Sequence, residues 1–215
     1  MAKSIYVLIV ALLCSMPDSQ LLAQHCPTSC QSIDSGCLHC RTQLTGDWFG
    51  YRTGLAAHGI TFAGDVTQYY QGVTRGGLRQ QFEYGGHSDY VFNMDLSKLG
   101  AWEGFFLKIR GESQFGNFIN RDTGAILAAN AQGLNPTFGQ QDTALTNFLF
   151  TQMLSEDKGV FFGKLDTLDG DKNAFAHGRG KSQFMNVALV VNPLAFRTVP
   201  YSTYGLGFMV VDGTE

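Results

Sequence analysis

Alternation of apolar and polar residues, repeated in segments of about ten residues, is the feature that most restricts the fold of this chain. In residues 105–114, apolar Phe105, Leu107 and Ile109 alternate with polar side chains. A period of two places the two sets of side chains on opposite faces of a β-strand. Six such segments predict an antiparallel, all-β fold: residues 60–70, 89–98, 105–114, 145–154, 160–166 and 203–211.

The connections between these segments are very unequal in length. A short turn at residues 155–159 separates the fourth and fifth segments, whereas 116–142 and 167–201 are long. Short turns at one end and long loops at the other are typical of outer-membrane β-barrels. A soluble β-sandwich shows the same alternation, although its strands are usually shorter. The strand pattern by itself leaves both architectures open.

Composition excludes several classes of protein. The chain has 15 basic and 18 acidic residues, a net charge of −3 and no basic patch, which argues against nucleic-acid binding. Its longest apolar run, residues 5–13, is shorter than the ~20 residues of a membrane-spanning helix. With 13% aromatic and only 15% charged residues, the chain is not of the intrinsically disordered type.

The N-terminus resembles a secretory signal. Lys3 precedes the apolar run, and the small residue Ala23 is the expected cleavage position, which gives a signal peptide over residues 1–23. In the segment that follows, residues 24–43, two disulfides are expected in an oxidising compartment, and a zinc site or unpaired thiols are the alternatives. The cysteines concerned are Cys26, Cys30, Cys37 and Cys40.

No motif for catalysis or cofactor binding is complete. Residues 159–164 are one residue short of a phosphate-binding loop, and Leu165 stands where Ser or Thr belongs. Residues 169–180 begin like a calcium loop, but Ala174 replaces the turn glycine and Gly180 occupies the position of the bidentate Glu. We therefore predict no enzyme activity, no metal and no cofactor.

Residues 45–59 predict one short helix before the first strand. Asp47 or Thr45 would cap its first amides, and Gly59 suits the left-handed position just after its end.

The same stretch resembles a known family. Leu-Thr-Gly-Asp-Trp-Phe-Gly-Tyr-Arg-Thr-Gly-Leu at 44–55, followed by His-Gly-Ile-Thr-Phe at 58–62, is similar to the opening of the mature domain in the carbohydrate-selective porin (OprB) family. Phe-Gly-Lys-Leu-Asp at 162–166 and the glycine-rich residues 72–77 are also similar to segments of that family. Phe49 departs from it, because the family usually has Gly there. The residues that match the motifs are Gly46, Asp47, Trp48, Arg52, Gly163, Lys164 and Asp166.

The resemblance implies an antiparallel transmembrane β-barrel of about sixteen strands, with a short periplasmic helix before the first strand. Six strands cannot close such a barrel, and lipid does not tolerate an open sheet edge. Residues 44–215 are therefore expected to be part of a porin domain that is incomplete at the C-terminus. The implied function is passive diffusion of small sugars across the outer membrane of a Gram-negative-type cell. The alternative is a secreted, soluble β-sandwich that binds carbohydrate and is cross-linked by disulfides.

In such a barrel, the polar face of the strands would line the channel and the apolar face would contact lipid. In a soluble sheet the polar face would simply be the solvated one. The expected pore-lining residues are Lys108, Arg110, Glu112, Asp65, Asn93 and Asp95. The expected lipid-facing residues are Phe62, Val66, Phe92, Met94, Leu107 and Ile109. Aromatic residues near strand ends are candidates for interfacial girdles: Tyr69, Tyr70, Tyr90, Phe115, Phe118, Tyr201 and Tyr204.

Overall fold

The structure is a computed structural model that describes residues 43–134, 136, 142–169, 177–192, 194 and 198–210. The chain divides into two units, residues 1–51 and 52–215. The predicted signal peptide over residues 1–23 lies outside the described residues, and so do the possible disulfide partners Cys26, Cys30, Cys37 and Cys40.

In the first unit, the described residues form tight turns instead of the beginning of a helix. Gly46 and Gly50 have φ values of 66° and 89°, and Trp48 and Phe49 have φ values of 53° and 58°. A right-handed helix cannot contain residues in this left-handed region. The prediction of a helix from residue 45 is therefore wrong in its first part.

Helix α1 covers only Tyr51–Ala57. Its end agrees with the prediction, because Gly59 follows it with a φ of 87°, a conformation that glycine adopts without steric cost. The first strand begins directly afterwards, at Ile60.

Six strands among the described residues form one antiparallel sheet, in which each strand pairs with its neighbours in sequence. All six predicted strands are found, and five of them have ends shifted by at most two residues. The second strand begins seven residues earlier than predicted, at Phe82 instead of Asp89, and ends at Asp95 instead of residue 98. The strands are β1 (Ile60–Gly72), β2 (Phe82–Asp95), β3 (Phe105–Gly116), β4 (Thr143–Met153), β5 (Lys158–Asp166) and β6 (Ser202–Val210). The connections contain two further short helices, α2 (Asn120–Thr123) and α3 (Val187–Val190), and a 3-10 turn at Ala131–Gly133.

Because the strands alternate in direction, the connections alternate between the two ends of the sheet. Segments 96–104 and 154–157 lie at one end, and segments 73–81, 117–142 and 167–201 lie at the other. The two longest connections are therefore at the same end, which we call the long-loop end. In the described part of the chain, no helix is long and apolar enough to cross a membrane.

The register separates the sheet into two chemically different faces. Phe62, Phe92 and Ile109 are aligned across β1, β2 and β3 on an apolar face, together with Phe148 of β4. Asp65, Asp89 and Glu112 are aligned on the opposite face, which we call the charged face. The residues expected to face lipid fall on the first face, and those expected to line a channel fall on the second.

Burial in this unit is the reverse of that in a soluble domain. Among the described residues, the buried hydrophobic side chains are Ile119, Ala131, Val187 and Val190. The buried polar and charged side chains are three times as many and include Asp89, Arg110, Glu112 and Asp166. Large hydrophobic side chains are exposed instead on the apolar face, among them Val66, Tyr70, Phe162, Leu206 and Phe208.

Glycine at position 163 is required where β5 meets β4. Gly163 has a φ of 135°, and a Cβ there would lie 2.2 Å from the carbonyl oxygen of Phe148. We expect Gly163→Ala to lower the free energy of unfolding by about 2–3 kcal/mol, because backbone strain and a clash with the backbone add together. The midpoint of urea unfolding in detergent micelles measures this effect.

Gly111→Ala is the matched control, because it also adds one methyl group to a glycine within a strand. A Cβ at Gly111 would have its nearest contact at 3.9 Å, with the carbonyl oxygen of Ala144. We expect a change of less than about 0.5 kcal/mol there. Equal unfolding midpoints for the two variants would contradict the assignment of Gly163.

Candidate functional site

Two long loops fold back over the charged face of the sheet. The Gln114 side chain donates to the carbonyl oxygen of Gln132 at 2.8 Å, and the Tyr69 hydroxyl donates to that of Gly180 at 3.4 Å. Ala131 of the first loop also packs with Val187 and Val190 of the second. The segments 117–142 and 167–201 are thus attached to the sheet and to each other.

Arg110 is the centre of an ionic cluster on this face. Its Nε and Nη2 donate to the two carboxylate oxygens of Asp89 at 2.8 and 2.5 Å. Its Nη1 lies 3.2 Å from Asp169 Oδ1 and 3.4 Å from Asp166 Oδ2. Arg110, Asp89 and Asp166 are all buried, with exposed fractions of 7%, 2% and 4%. This planar, bidentate pairing is the strongest kind of ion pair that side chains form.

Arg179 attaches the second long loop to the same cluster. Its Nη2 donates to Glu112 Oε1 at 2.9 Å and to the Tyr201 hydroxyl, and its Nη1 donates to Asp166 Oδ2 at 2.6 Å. The residue has a φ of 57° and lies between Gly178 and Gly180, which both have a φ of 87°. The two glycines adopt this left-handed conformation without steric cost, whereas Arg179 is strained in it, and such strain persists only where other contacts hold it.

The surroundings of Arg179 keep it charged and keep Tyr201 neutral. Burial alone would lower the pKa of Arg179, but the carboxylates of Asp166 and Glu112 outweigh it and raise that pKa above its ordinary value. Burial raises the pKa of the Tyr201 hydroxyl far above its usual range. Tyr201 therefore stays protonated and donates to Glu112, whose two carboxylate oxygens lie 2.8 and 2.6 Å away.

Two lysines complete the cluster, one from the loop and one from β3. Lys181 Nζ donates to Asp65 at 2.8 Å and to Asp89 at 2.9 Å, and so joins β1 to β2. Lys108 Nζ donates to Asp169. His87 is fully buried beside the cluster, with its Nε2 3.6 Å from Glu112 Oε1.

The structure brings together four of the six residues that we expected to line a channel: Lys108, Arg110, Glu112 and Asp65. Asn93 is exposed on the same face, aligned with Lys108. Asp95 is not part of the cluster, because its carboxylate accepts from the amide nitrogen and the hydroxyl of Ser97 in the turn after β2.

Sequence reasoning missed half of the cluster. Asp89 was visible in the strand pattern, but its position beside Asp65 and Glu112 depends on the register. Arg179 and Lys181 lie in a loop without periodicity. Tyr69 and Tyr201 were candidates for an interfacial girdle, and this is corrected, because their hydroxyls bond to Gly180 and to Glu112 on the charged face.

The motif residues have separate local roles. Asp166 belongs to the ionic cluster, and Gly163 permits the close contact with β4. Lys164 is aligned with Phe148 on the apolar face, and its ammonium donates to the carbonyl oxygen of Leu145 at 2.5 Å.

The N-terminal motif residues have local roles as well. Arg52 donates from α1 to the carbonyl oxygen of Phe62. In the first unit, Gly46 and Trp48 are in left-handed turns, and the Asp47 carbonyl accepts from the Gly50 amide at 3.1 Å.

The cluster borders a cavity of about 200 Å³, lined by Arg110, Asp169, His177 and Arg179 among others. Its walls offer guanidinium donors next to carboxylate acceptors, which are the partners that hydroxyl groups need when they leave water. Among the described residues, no group of three or more His, Cys, Asp or Glu side chains is placed to hold a metal ion. The arrangement is suited to contacts with polar solutes.

Comparison with known proteins gives two matches. The family model described as "Carbohydrate-selective porin, OprB family" matches residues 79–211, which contain β2 to β6 and both long loops. The high-pH structure of OprB from Pseudomonas putida is similar in fold, with a TM-score of 0.63 and 22% sequence identity. The similarity covers 77% of this chain and 40% of that one, so this chain spans less than half of the solved protein. No curated protein sequence matches the chain. The motif at 44–55 lies outside the residues that the family model matches.

Proposed function

Because the chain belongs to the carbohydrate-selective porin, OprB family, we propose that it forms part of an outer-membrane β-barrel through which sugars diffuse passively. In this proposal, β1 to β6 are adjacent strands of a barrel of about sixteen strands in a Gram-negative-type cell. The apolar face contacts lipid and the charged face lines the channel. Transport needs neither a cofactor nor energy input.

The observation that carries the proposal is the inverted burial of the sheet. Leu206, Tyr204 and Val210 of β6 are 78%, 82% and 64% exposed, while Arg110, Asp89 and Glu112 are almost completely buried. In water, an apolar face of this extent would favour aggregation. In a bilayer it is the surface that a barrel needs, and the polar groups belong on the inside.

Aromatic side chains on the apolar face fit the same placement. Tyr70 and Phe82 are stacked near the long-loop end, with ring centroids 5.5 Å apart. Toward the other end, Trp102 stacks on Phe105 at 4.6 Å, and its indole nitrogen donates to Gln152 at 2.5 Å. Aromatic side chains with one polar end are typical of the two interfaces of a membrane protein.

The balance of charge in the cluster favours neutral solutes. Each guanidinium or ammonium group among Lys108, Arg110, Arg179 and Lys181 is paired with at least one carboxylate. An ion that enters therefore meets charges of both signs at close range, whereas a sugar hydroxyl can both donate and accept. We assign the channel lining to Lys108, Arg110, Glu112, Asp65, Asn93 and Asp95, with Arg179 and Lys181 from the loop.

Reconstitution of the native pore, extracted from outer membranes, tests the proposal. We expect the protein to require detergent, to conduct ions in planar bilayers, and to let monosaccharides enter liposomes faster than a polyethylene glycol of equal hydrodynamic radius. Recovery of the folded protein from a detergent-free soluble fraction would instead support a soluble carbohydrate-binding β-sandwich. Equal entry rates for the sugar and the polymer would remove the proposed selectivity for sugars.

A further inference from the structure

A second polar cavity lies outside the ionic cluster, at the long-loop end of the sheet. It has a volume of about 180 Å³ and is separate from the cavity beside Arg110. It lies where the 73–81 connection meets α2 (Asn120–Thr123). The lining residues that bear on its chemistry are Arg79, Glu83, Asn117, Phe118, Arg121 and Asp122.

Asp122 fixes the two walls of this cavity against each other. Its carbonyl oxygen accepts from the amide of Leu78 at 2.7 Å. Its carboxylate, only 1% exposed, accepts from Gln81 Nε2 at 3.2 Å and pairs with Arg79 Nε at 2.9 Å. A buried carboxylate with two partners on the facing connection makes the cavity preformed, so a ligand need not supply the free energy of ordering it.

Charges at the cavity are balanced, and its polar groups differ in accessibility. Arg79 and Arg121 stand against Glu83 and Asp122, and the Arg79 side chain is held by the Asp122 carboxylate. Asn117 and Arg121 are exposed, and Glu83 is half-buried. These side chains offer amide and guanidinium donors and carboxylate and amide acceptors within one concave surface.

The remaining wall is apolar. The half-buried ring of Phe118 lines the cavity and lies 6.0 Å from the ring of Tyr69. A sugar ring has hydroxyl groups around its edge and C–H groups on its faces, so it matches a cavity with both polar and aromatic walls. A small anion or cation would meet both signs of charge and would leave the aromatic wall unused.

We infer that this cavity is an entry subsite that holds one neutral sugar ring at the long-loop end, before the solute reaches the ionic cluster. The inference rests on the proposed function, because it places the subsite on the route of the permeating sugar. Asn117 and Arg121 are the residues that bind the hydroxyl groups, and the wall formed by Arg79 and Asp122 positions them.

The double substitution Asn117→Ala with Arg121→Gln tests the subsite in the full-length pore. We expect glucose, added at the long-loop side of a planar bilayer, to block the ion current of the parent pore in a saturable way. We expect the half-blocking concentration to rise about tenfold in the double variant, because two hydrogen bonds, one of them to a charged group, are removed.

Arg75→Gln is the matched control, because it also removes one exposed arginine at the long-loop end. Arg75 lies in the 73–81 connection but does not line the cavity. It should leave the half-blocking concentration of glucose unchanged. A change in this variant would measure the effect of removing one positive charge from the long-loop end. An unchanged half-blocking concentration in the double variant would overturn the subsite, and so would an equal rise with Arg75→Gln. A parent pore that conducts no ions would instead refute the proposed function, which keeps the two failures distinguishable.

Discussion

Replacing Arg110 by methionine should lower the free energy of unfolding of the protein by about 3–5 kcal/mol, the usual cost of breaking a buried ion pair. The substitution removes both hydrogen bonds to Asp89, whose exposed fraction is 2%. It also takes away a partner of Asp166, which then depends on Arg179. Methionine keeps the approximate length of the side chain, so the loss comes from carboxylates left in a poorly solvated site rather than from a cavity.

Lys108→Met is the control for this result. This substitution removes the same formal charge from the same face of β3, but the Lys108 side chain is 31% exposed. Among the described residues, its ion pair is with Asp169. We expect a change of less than about 1 kcal/mol there, because solvent screens a more exposed pair. Urea unfolding of both variants in lipid vesicles measures the difference. Equal unfolding midpoints would show that the Arg110 cluster is solvated and adds little to stability.

The strands and their faces were predictable because they depend on local pattern. In β3, the alternation of Phe105, Leu107 and Ile109 with polar residues determined the strand and its two faces without any long-range information. The beginning of β2 was not predictable in this way. The expected strand began at Asp89, whereas β2 begins at Phe82, because Gly85 and Gly86 interrupt the pattern.

The sheet explains why those glycines still belong to a strand. A Cβ at Gly86 would lie 2.1 Å from the ring of Phe115 on β3, so the ring occupies the space that a side chain would fill. Packing across strands therefore decides the conformation where the alternation of apolar and polar residues is interrupted. The turn at Trp48 and Phe49 is a related case, because non-glycine residues with positive φ give no sequence signal.

The residues of the candidate site were likewise predictable where they depend on local pattern, and not where they depend on long-range contacts. Lys108, Arg110 and Glu112 were visible as polar positions of one strand, but their partners depend on loops that fold back over the sheet. Arg179 is 67 residues from Glu112 in sequence, and no periodicity links them. Formation of the cluster thus depends on two folding outcomes, the register of β1 to β3 and the path of the second long loop.

Replacing Arg179 by alanine should release the 167–201 loop from the charged face. Arg179 connects that loop to Glu112 of β3 and Asp166 of β5, and it also donates to Tyr201 at the end of the same loop. Its carbonyl oxygen accepts from Gln132 of the other loop. Two backbone hydrogen bonds join the loops near there: the Val187 amide donates to the Ala128 carbonyl at 3.1 Å, and the Ala131 amide donates to the Met185 carbonyl at 2.8 Å. We expect amide hydrogen exchange over residues 184–191 to accelerate at least tenfold, because these bonds lose their anchor. We also expect single-channel conductance to rise and discrimination between sugars and other polar solutes of the same size to fall.

Two further variants separate the side chain of Arg179 from its backbone. Arg179→Gly removes the same contacts but adopts a φ of 57° without strain, so it should release the loop nearly as much as Arg179→Ala if the side chain is the anchor. Arg179→Lys keeps the charge but not the fork that reaches Glu112 and Asp166 together, and it should restore the parent behaviour only in part. If exchange over residues 184–191 and conductance matched the parent in all three variants, the loop would be held by the packing of Val187 and Val190 on Ala131. The ionic cluster would then act on the solute without positioning the loop.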